Sequence, residues 1–203
     1  LTFECQLTLV EQLRHSFPGI DIVAEGEAPT DFDVHLPLFT LGERLGLDET
    51  NLLGDRAYLT PPASTALPDS GKLRVGLAWA GNPHHKNDAK RSIAWEQFGT
   101  LTKLGDIDFY NLQVGPRAAD CDRSNVVSLQ GQLNDFAATA AVIEQLDIVI
   151  TVDTAVAHLA GALGKPTWVL ITAMPDWRWQ LSRTDSPWYS QVKLYRQDAG
   201  KAG

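Results

Sequence analysis

Residues 146–170, LDIVITVDTAVAHLAGALGKPTWVL, decide the fold of this chain. The β-branched run at 148–150 is typical of a strand that is buried on both faces of a sheet. Small apolar residues at 155–163 then predict a helix, and Gly164 suits the position just after its end. A second β-branched run follows at 167–171. The stretch therefore predicts one βαβ unit with two parallel strands.

The start of this helix is a candidate anion site. Thr154 suits its N-cap and follows Asp153 directly. A helix that starts at the carboxyl end of a parallel strand directs its free N–H groups into the crevice above the sheet, where open α/β sheets hold phosphates. His158, four residues on, leans toward the same end. The pattern predicts a diphosphate held by the backbone, Thr154 and His158. The alternative is a capped core helix with an ordinary hydrogen-bonded histidine.

The overall composition limits the class of protein. The chain has 203 residues, of which 44% are hydrophobic, enough for one large or two small domains with a core. A formal net charge of -8 argues against nucleic-acid binding by bulk attraction. No apolar run is long enough to predict a membrane span. Cys5 and Cys121 match neither a disulfide framework nor a metal site, so we expect reduced thiols and a cytoplasmic protein.

The chain divides into three parts. Residues 1–60 predict a partial N-terminal α/β segment, with a strand at 32–36 and a short helix at 38–47. The chain begins at Leu1 within a predicted strand, which favours a fragment of a longer polypeptide. Residues 61–72 are rich in proline and serine and predict a linker.

Residues 73–203 predict a Rossmann-like C-terminal domain with a doubly wound parallel sheet, because strands alternate with helices. The expected strands are 73–79, 109–112, 126–129, 148–150, 167–171 and 192–195. The expected helices are 93–104 (with Ser92 as its N-cap), 135–146 and 155–163.

Two further stretches contain candidate binding residues. The loop at 80–91, AGNPHHKNDAKR, follows a strand and carries Lys86, Lys90 and Arg91, whose basic side chains suit phosphate oxygens, and Asn82 is a further candidate. A solvated surface loop is the alternative. Trp177 or Trp179 in the sequence PDWRW is a candidate for stacking on a base or a sugar, with aromatic packing as the alternative. His84 and His85 lack a spaced partner for a metal, so no metal site is expected.

Together, GLAWAGNPHHKNDAKRSI, VVSLQGQLNDFAATAAVIEQLDIVITVDTAVAHLAGALGKPTWVL, PDWRW and SPWY resemble glycosyltransferase family 9. This is the family of ADP-heptose:lipopolysaccharide heptosyltransferases. The sequence is most similar to its branch found downstream of tetratricopeptide repeats in bacterial proteins. The resemblance covers residues 73–197 well and residues 1–60 more weakly.

The resemblance implies a GT-B fold, in which two Rossmann-like domains face each other and the nucleotide-sugar donor sits mainly on the C-terminal one. Asp153, Thr154, Ala155 and His158 match the family's D-T-G-x-x-H donor-diphosphate motif, with Ala155 in place of the glycine. A role of the backbone N–H survives that change. Lys90 or Arg91 matches the basic residue that meets the donor phosphates.

The implied activity is inverting, metal-independent transfer of a sugar from a nucleoside-diphosphate sugar to a saccharide or protein acceptor, without a cofactor. Residues 1–60 do not match the family's strand-to-helix loop with its acidic general base, so the catalytic residue is unknown. A non-catalytic module that binds a sugar nucleotide or a protein is therefore the main alternative, and epimerisation of a nucleotide sugar is another. A Rossmann dehydrogenase is disfavoured, because no G-x-G-x-x-G follows a strand.

Overall fold

The computed structural model describes residues 1–27, 29–48, 50–52, 54, 56–63, 66–121, 125–129 and 131–198. Its strands are β1 Thr2–Cys5, β2 Asp21–Ala24, β3 Leu73–Ala78, β4 Ile107–Asn111, β5 Val126–Ser128, β6 Ile148–Val152, β7 Thr167–Ile171 and β8 Val192–Arg196. Its α-helices are α1 Leu7–Ser16, α2 Leu38–Arg44, α3 Asp88–Arg91, α4 Trp95–Phe98, α5 Phe136–Glu144 and α6 Ala155–Ala162. Turns of 3-10 helix cover Gly99–Lys103, Pro116–Ala119 and Trp177–Trp179. None of the helices in these ranges is long and apolar enough to cross a membrane.

The main sheet has six parallel strands in the order β5-β4-β3-β6-β7-β8. The first strand of the sheet in the chain, β3, lies at its centre, and the order reverses there. This is the strand order of a Rossmann-like domain. The βαβ unit predicted from the sequence is confirmed, because β6 pairs in parallel with β7 and places Val149 opposite Thr167.

The core lies on both faces of this sheet, because successive residues of a strand point to opposite sides. Val149 belongs to a cluster with Ala140 and Ile143 of α5. Ile150, the next residue, belongs to a cluster with Trp95 of α4. The predicted doubly wound arrangement is therefore confirmed.

Helix α6 begins and ends as its sequence predicts. Thr154 occupies the N-cap position with an extended backbone, although its hydroxyl makes no capping hydrogen bond. Gly164 follows the helix with a φ of 71°, a left-handed conformation that glycine adopts without strain. Ala157 and Ala160 are fully buried. These small side chains let the helix lie close to the sheet.

Two predicted secondary-structure elements differ from the structure. The strand expected at 32–36 does not form. Phe32 and Val34 are exposed, and no ladder partner lies beside this stretch among the described residues. The helix expected from 93 breaks at Gly99, where α4 gives way to 3-10 helix. Glycine is a poor helix former.

Ser92 is not the N-cap of α4, a position that Ala94 occupies. Its hydroxyl instead accepts a hydrogen bond from the N–H of Gly81 and donates one to Asp88. Ser and Asp side chains often form local hydrogen bonds of this kind in place of an N-cap.

The N-terminal segment is a small parallel pair, β1 with β2, joined by α1 and packed around Val10 and Ile22. Residues 56–60, here called the strap, connect it to the sheet domain. The N–H groups of Tyr58 and Leu59 both donate to the Ala162 carbonyl at the end of α6 (3.0 and 3.1 Å). At the other side, the Gln12 amide of α1 donates to the Thr60 carbonyl (2.9 Å).

A substitution in β3, the central strand, tests how closely the core packs against the sheet. A Cβ at Gly76 of β3 would lie 2.6 Å from one methyl carbon each of Leu112 and Leu146. Both leucines are buried, so we expect Gly76→Ala to lower the free energy of unfolding by about 1–3 kcal/mol. Urea denaturation measures it. Gly42→Ala is the matched control, because that position in α2 has open space around it. Equal stability of the two variants would contradict this packing.

Candidate functional site

A cavity of about 1160 Å³ opens at the carboxyl ends of β3, β4, β6 and β7. It is lined by seven of the residues predicted to bind phosphate, whereas Lys86 lies outside its lining; the seven are Asn82, Lys90, Arg91, Asp153, Thr154, Ala155 and His158. The parallel sheet brings them together, because the loops after its strands meet at one edge. Their proximity is established, and their role in binding remains a prediction.

The start of α6 forms one wall of this cavity. Thr154 and Ala155 both line it, and Ala155 is exposed. The first N–H groups of a helix have no acceptor within the helix. The helix dipole adds partial positive charge at the same place.

Arg91 is fixed across the cavity from α3 to the start of α6. Its Nη1 donates to the Asp153 carbonyl (3.0 Å), although the two residues are far apart in sequence. The guanidinium lies flat against the backbone of Gly81, where a Cβ would be 2.5 Å from Nη2. A larger residue at position 81 would therefore displace the Arg91 guanidinium. Arg91 therefore has a structural role in addition to its positive charge, because it joins α3 to the start of α6.

Asp88 is a buried carboxylate behind the cavity wall, with 3% of its surface exposed. It accepts a hydrogen bond from Arg117 Nη2 (2.8 Å) and one from the Ser92 hydroxyl (2.9 Å). Arg91 Nε lies 3.7 Å from it. Burial of a lone carboxylate is costly, and two guanidinium groups offset that cost. Asp88 thus holds both arginines beside the cavity.

Sequence reasoning missed Arg117 and Asp88. Arg117 lies in the 3-10 turn after β4, and the only local signal was Gly115-Pro116, which indicates a turn. Asp88 was read as part of a polar loop. Arg178, from the aromatic loop, also lines the cavity.

Gln113 is another buried polar residue that sequence reasoning missed. Its Oε1 accepts from the N–H groups of Trp79 (3.1 Å) and Ala80 (2.9 Å), and its Nε2 donates to the Ala80 carbonyl (2.9 Å). One amide therefore satisfies the backbone where β3 ends. This contact fixes the start of the loop that carries Lys90 and Arg91.

The cavity is electropositive although the chain is acidic. Among the described lining residues, four are cationic, Lys90, Arg91, Arg117 and Arg178, and two are carboxylates, Asp153 and Asp176. The formal net charge of the whole chain is -8. Concentration of positive charge in one concave site suits an anionic ligand.

His158 lies at the edge of the cavity, with about a third of its side chain exposed. Its Nδ1 is 3.0 Å from the Tyr189 hydroxyl, and its Nε2 is 4.0 Å from an Asp153 oxygen. Its ring stacks on Trp179 with centroids 5.0 Å apart. Burial lowers the pKa of His158, and the carboxylate of Asp153 partly opposes that shift.

The two candidate stacking residues occupy different environments. Trp179 is fully buried, so its ring packs on His158 and does not reach a ligand; this part of the prediction was wrong. Trp177 is 63% exposed and lies edge-on to Trp188, with the Arg178 guanidinium over its face at 4.7 Å. Trp177 itself does not line the cavity, although its neighbours Asp176 and Arg178 do, and its role in stacking stays a prediction.

In the described part of the chain, no three His, Cys, Asp or Glu side chains cluster as a metal site. His84 and His85, which line the cavity, are both exposed. Independence of a metal remains a prediction.

Comparisons with known proteins give the following matches. The family model "Glycosyltransferase family 9 (heptosyltransferase)" matches residues 114–201. The structure of E. coli ADP-heptose lps heptosyltransferase II aligns with a TM-score of 0.48 at 16% identity, over 65% of this chain and 40% of its own. A family 9 glycosyl transferase from Veillonella parvula gives 0.44 at 16%, over 64% and 36%. The E. coli heptosyltransferase WaaC with ADP gives 0.44 at 17%, over 73% and 41%. No curated protein matches.

The family match confirms the resemblance to glycosyltransferase family 9 for residues 114–201. The predicted α/β fold class is confirmed by the Rossmann-like parallel sheet of the C-terminal part, and the GT-B-like arrangement is what the family resemblance implies. The chain spans about two fifths of the length of the matched structures. The link to tetratricopeptide repeats and the three-part domain division stay predictions.

The environment of His158 predicts a pH effect on stability. Because its pKa is lowered in the folded state, the unfolded chain takes up a proton first, at about pH 6.5. The contribution of neutral His158 is therefore complete above that pH and is lost as the pH falls below it. We expect wild type to lose more stability than His158→Gln between about pH 7.5 and pH 5.5. Urea midpoints of both proteins measure this.

His84→Gln is the matched control, because His84 is exposed. It should lose as much stability over this pH range as wild type does. An equal loss in His158→Gln would show that the His158 pKa is not lowered by folding.

Proposed function

We propose that this chain supplies the donor-binding part of a glycosyltransferase that transfers a sugar from a nucleoside-diphosphate sugar to an acceptor. The observation that supports it is that Lys90, Arg91 and Arg117 line the same cavity as the N-terminus of α6. The family match over residues 114–201 names the same class of reaction. The heptosyltransferase-like character of the donor belongs to this proposal.

The cavity suits a diphosphate better than a single phosphate. Its cations come from three separate elements: Arg91 from α3, Arg117 from the turn after β4, and Arg178 from the turn after β7. A ligand with two phosphates reaches more of them at once. Each charge-assisted hydrogen bond contributes about 1.5–3 kcal/mol. Ligand sites in proteins commonly hold roughly 300–1000 Å³, so the cavity has room for a nucleotide sugar.

The same groups suit the chemistry of sugar transfer. As the bond from the anomeric carbon to the phosphate breaks, negative charge grows on the leaving diphosphate. Donors that are already oriented toward this charge stabilise it without reorganising. The α6 N-terminus and the fixed guanidinium of Arg91 are such donors. A divalent metal is not required if these groups neutralise the leaving group.

The remaining elements of the proposal rest on the sequence. The acceptor is a saccharide or a protein, and the setting is cytoplasmic. The catalytic residue is unassigned. The alternative function, a non-catalytic module that binds a sugar nucleotide, uses the same cavity and differs only in turnover.

Thermal shift with nucleotides tests the binding. A ligand that binds only the folded state raises the melting temperature by an amount that increases with its affinity and concentration. We expect ADP, UDP or GDP to raise it more than the matching monophosphate does, because the second phosphate meets further cations. Equal shifts for mono- and diphosphates would contradict a diphosphate site.

Lys90 provides a sharper test through a single exposed charge. Lys90 lines the cavity, whereas Lys86, exposed in the same loop, does not. We expect Lys90→Ala to weaken binding of the preferred nucleoside diphosphate by about threefold or more. Calorimetric titration measures the affinity, and unfolding should be unchanged because exposed charges contribute little to stability. Lys86→Ala should bind as wild type does. Equal losses in both variants would indicate only long-range attraction.

Turnover separates the two functions. A longer polypeptide that extends this chain at its N-terminus to the length of the matched structures, incubated with the nucleotide sugar that gives the largest thermal shift, should release nucleoside diphosphate in the presence of a suitable acceptor. Binding without release across an acceptor panel would favour the non-catalytic module.

A further inference from the structure

The two ring nitrogens of His158 face different surroundings. Nδ1 lies 3.0 Å from the Tyr189 hydroxyl, on the side of the protein. Nε2 lies 4.0 Å from the carboxylate of Asp153, which lines the cavity. A neutral imidazole carries its hydrogen on only one of these nitrogens. The contact made by the other nitrogen decides which one.

Tyr189 is held rigidly beside His158. Its ring packs against Gly161 of α6, where an added Cβ would lie 2.5 Å from the ring Cγ. Its centroid is 6.3 Å from that of Trp179. Burial raises the pKa of the Tyr189 hydroxyl well above its ordinary range, so the hydroxyl keeps its hydrogen. A fixed, protonated hydroxyl therefore faces Nδ1.

The carboxylate of Asp153 distinguishes the two tautomers. With the hydrogen on Nδ1, the lone pair of Nε2 would face a negative charge at 4.0 Å. With the hydrogen on Nε2, an N–H dipole faces that charge and Nδ1 accepts from Tyr189. The second arrangement is favourable at both nitrogens. Nearby charges act strongly in a partly buried site.

We propose that Tyr189 is a positioning residue that donates to Nδ1 and, together with the carboxylate of Asp153, holds neutral His158 in the tautomer with its hydrogen on Nε2. The donor then faces the cavity and the acceptor faces the protein. His158 thereby offers a hydrogen bond to an anionic ligand without carrying a charge of its own.

Tyr58 of the strap supports this arrangement from behind. Its side chain interacts with that of Tyr189, and its backbone is fixed by the hydrogen bond to the Ala162 carbonyl. This contact helps to fix the position of the Tyr189 ring beside His158. A residue that precedes the sheet domain in the chain thus contributes to the orientation of a cavity residue.

The consequence for binding rests on the proposed function. If the cavity holds a diphosphate, Nε2–H is one of its donors. Tyr189→Phe keeps the ring that packs on Gly161 and Trp179 and removes only the hydroxyl. Loss of the fixed tautomer should then weaken nucleoside-diphosphate binding by about three- to tenfold, the range of one hydrogen bond.

Nitrogen NMR on the full chain with ¹⁵N-labelled histidine reads the tautomer directly, in the absence of ligand. The chain has five histidines, and His158→Gln identifies the signals of His158 by their loss. At about pH 7.5, where His158 is neutral, Nδ1 should show the shift of an unprotonated ring nitrogen. In Tyr189→Phe this signal should move toward the average of the two tautomers. Tyr195→Phe is the matched control, because Tyr195 packs on Trp168 of β7 and should leave the signal in place.

The outcomes separate this inference from the proposed function. A protonated Nδ1 in wild type, or an unchanged signal in Tyr189→Phe, would overturn the assignment of Tyr189. A shifted tautomer with unaltered ADP affinity in calorimetry would overturn its effect on binding. If wild type binds none of ADP, UDP and GDP, the proposed function fails, while the NMR result still decides the tautomer.

Discussion

The parallel pairing of β6 with β3 and β7 is the constraint on which the rest of the structure depends. Parallel strands end at the same edge of a sheet, so every loop that leaves a carboxyl end meets the others there. This is why Arg91, which follows β3, reaches the carbonyl of Asp153, which follows β6. The parallel pairing thus places the helix N-terminus and the cations in one cavity. An antiparallel partner for β6 would send one of these loops to the opposite edge.

A second constraint is the burial of Asp88 beneath that edge. A carboxylate removed from water needs partners, and this one has Arg117 at 2.8 Å and Arg91 Nε at 3.7 Å. One negative charge is thus shared between two positive ones, which leaves the wall of the cavity electropositive. Ser92 joins the same carboxylate to the backbone of Gly81. The geometry of the cations therefore depends on a residue that does not itself line the cavity.

The local sequence pattern was sufficient to predict the features that residues close together in the chain determine. The β-branched runs, the small apolar helix and Gly164 specify the βαβ unit without help from distant residues.

The local sequence pattern was not sufficient where tertiary contacts determine the environment of a side chain. Trp179 and Trp177 are two residues apart and similar in sequence context, yet one is buried under His158 and the other exposed. Arg117 and Gln113 acquire their roles from partners about thirty residues away in the chain. Residues 32–36 are the opposite case, because their composition is typical of a strand but no described strand pairs with them.

His158 shows why the two interpretations of a lone histidine need not exclude each other. Its ring face packs on Trp179 within the core, as an ordinary buried histidine does. Its edge carries two nitrogens with different surroundings, one on Tyr189 and one toward the cavity. Packing fixes the plane of the ring, and a fixed plane is what gives a hydrogen-bond donor a defined direction. The contacts that make His158 a core residue are thus the same contacts that would make it an effective ligand for an anion.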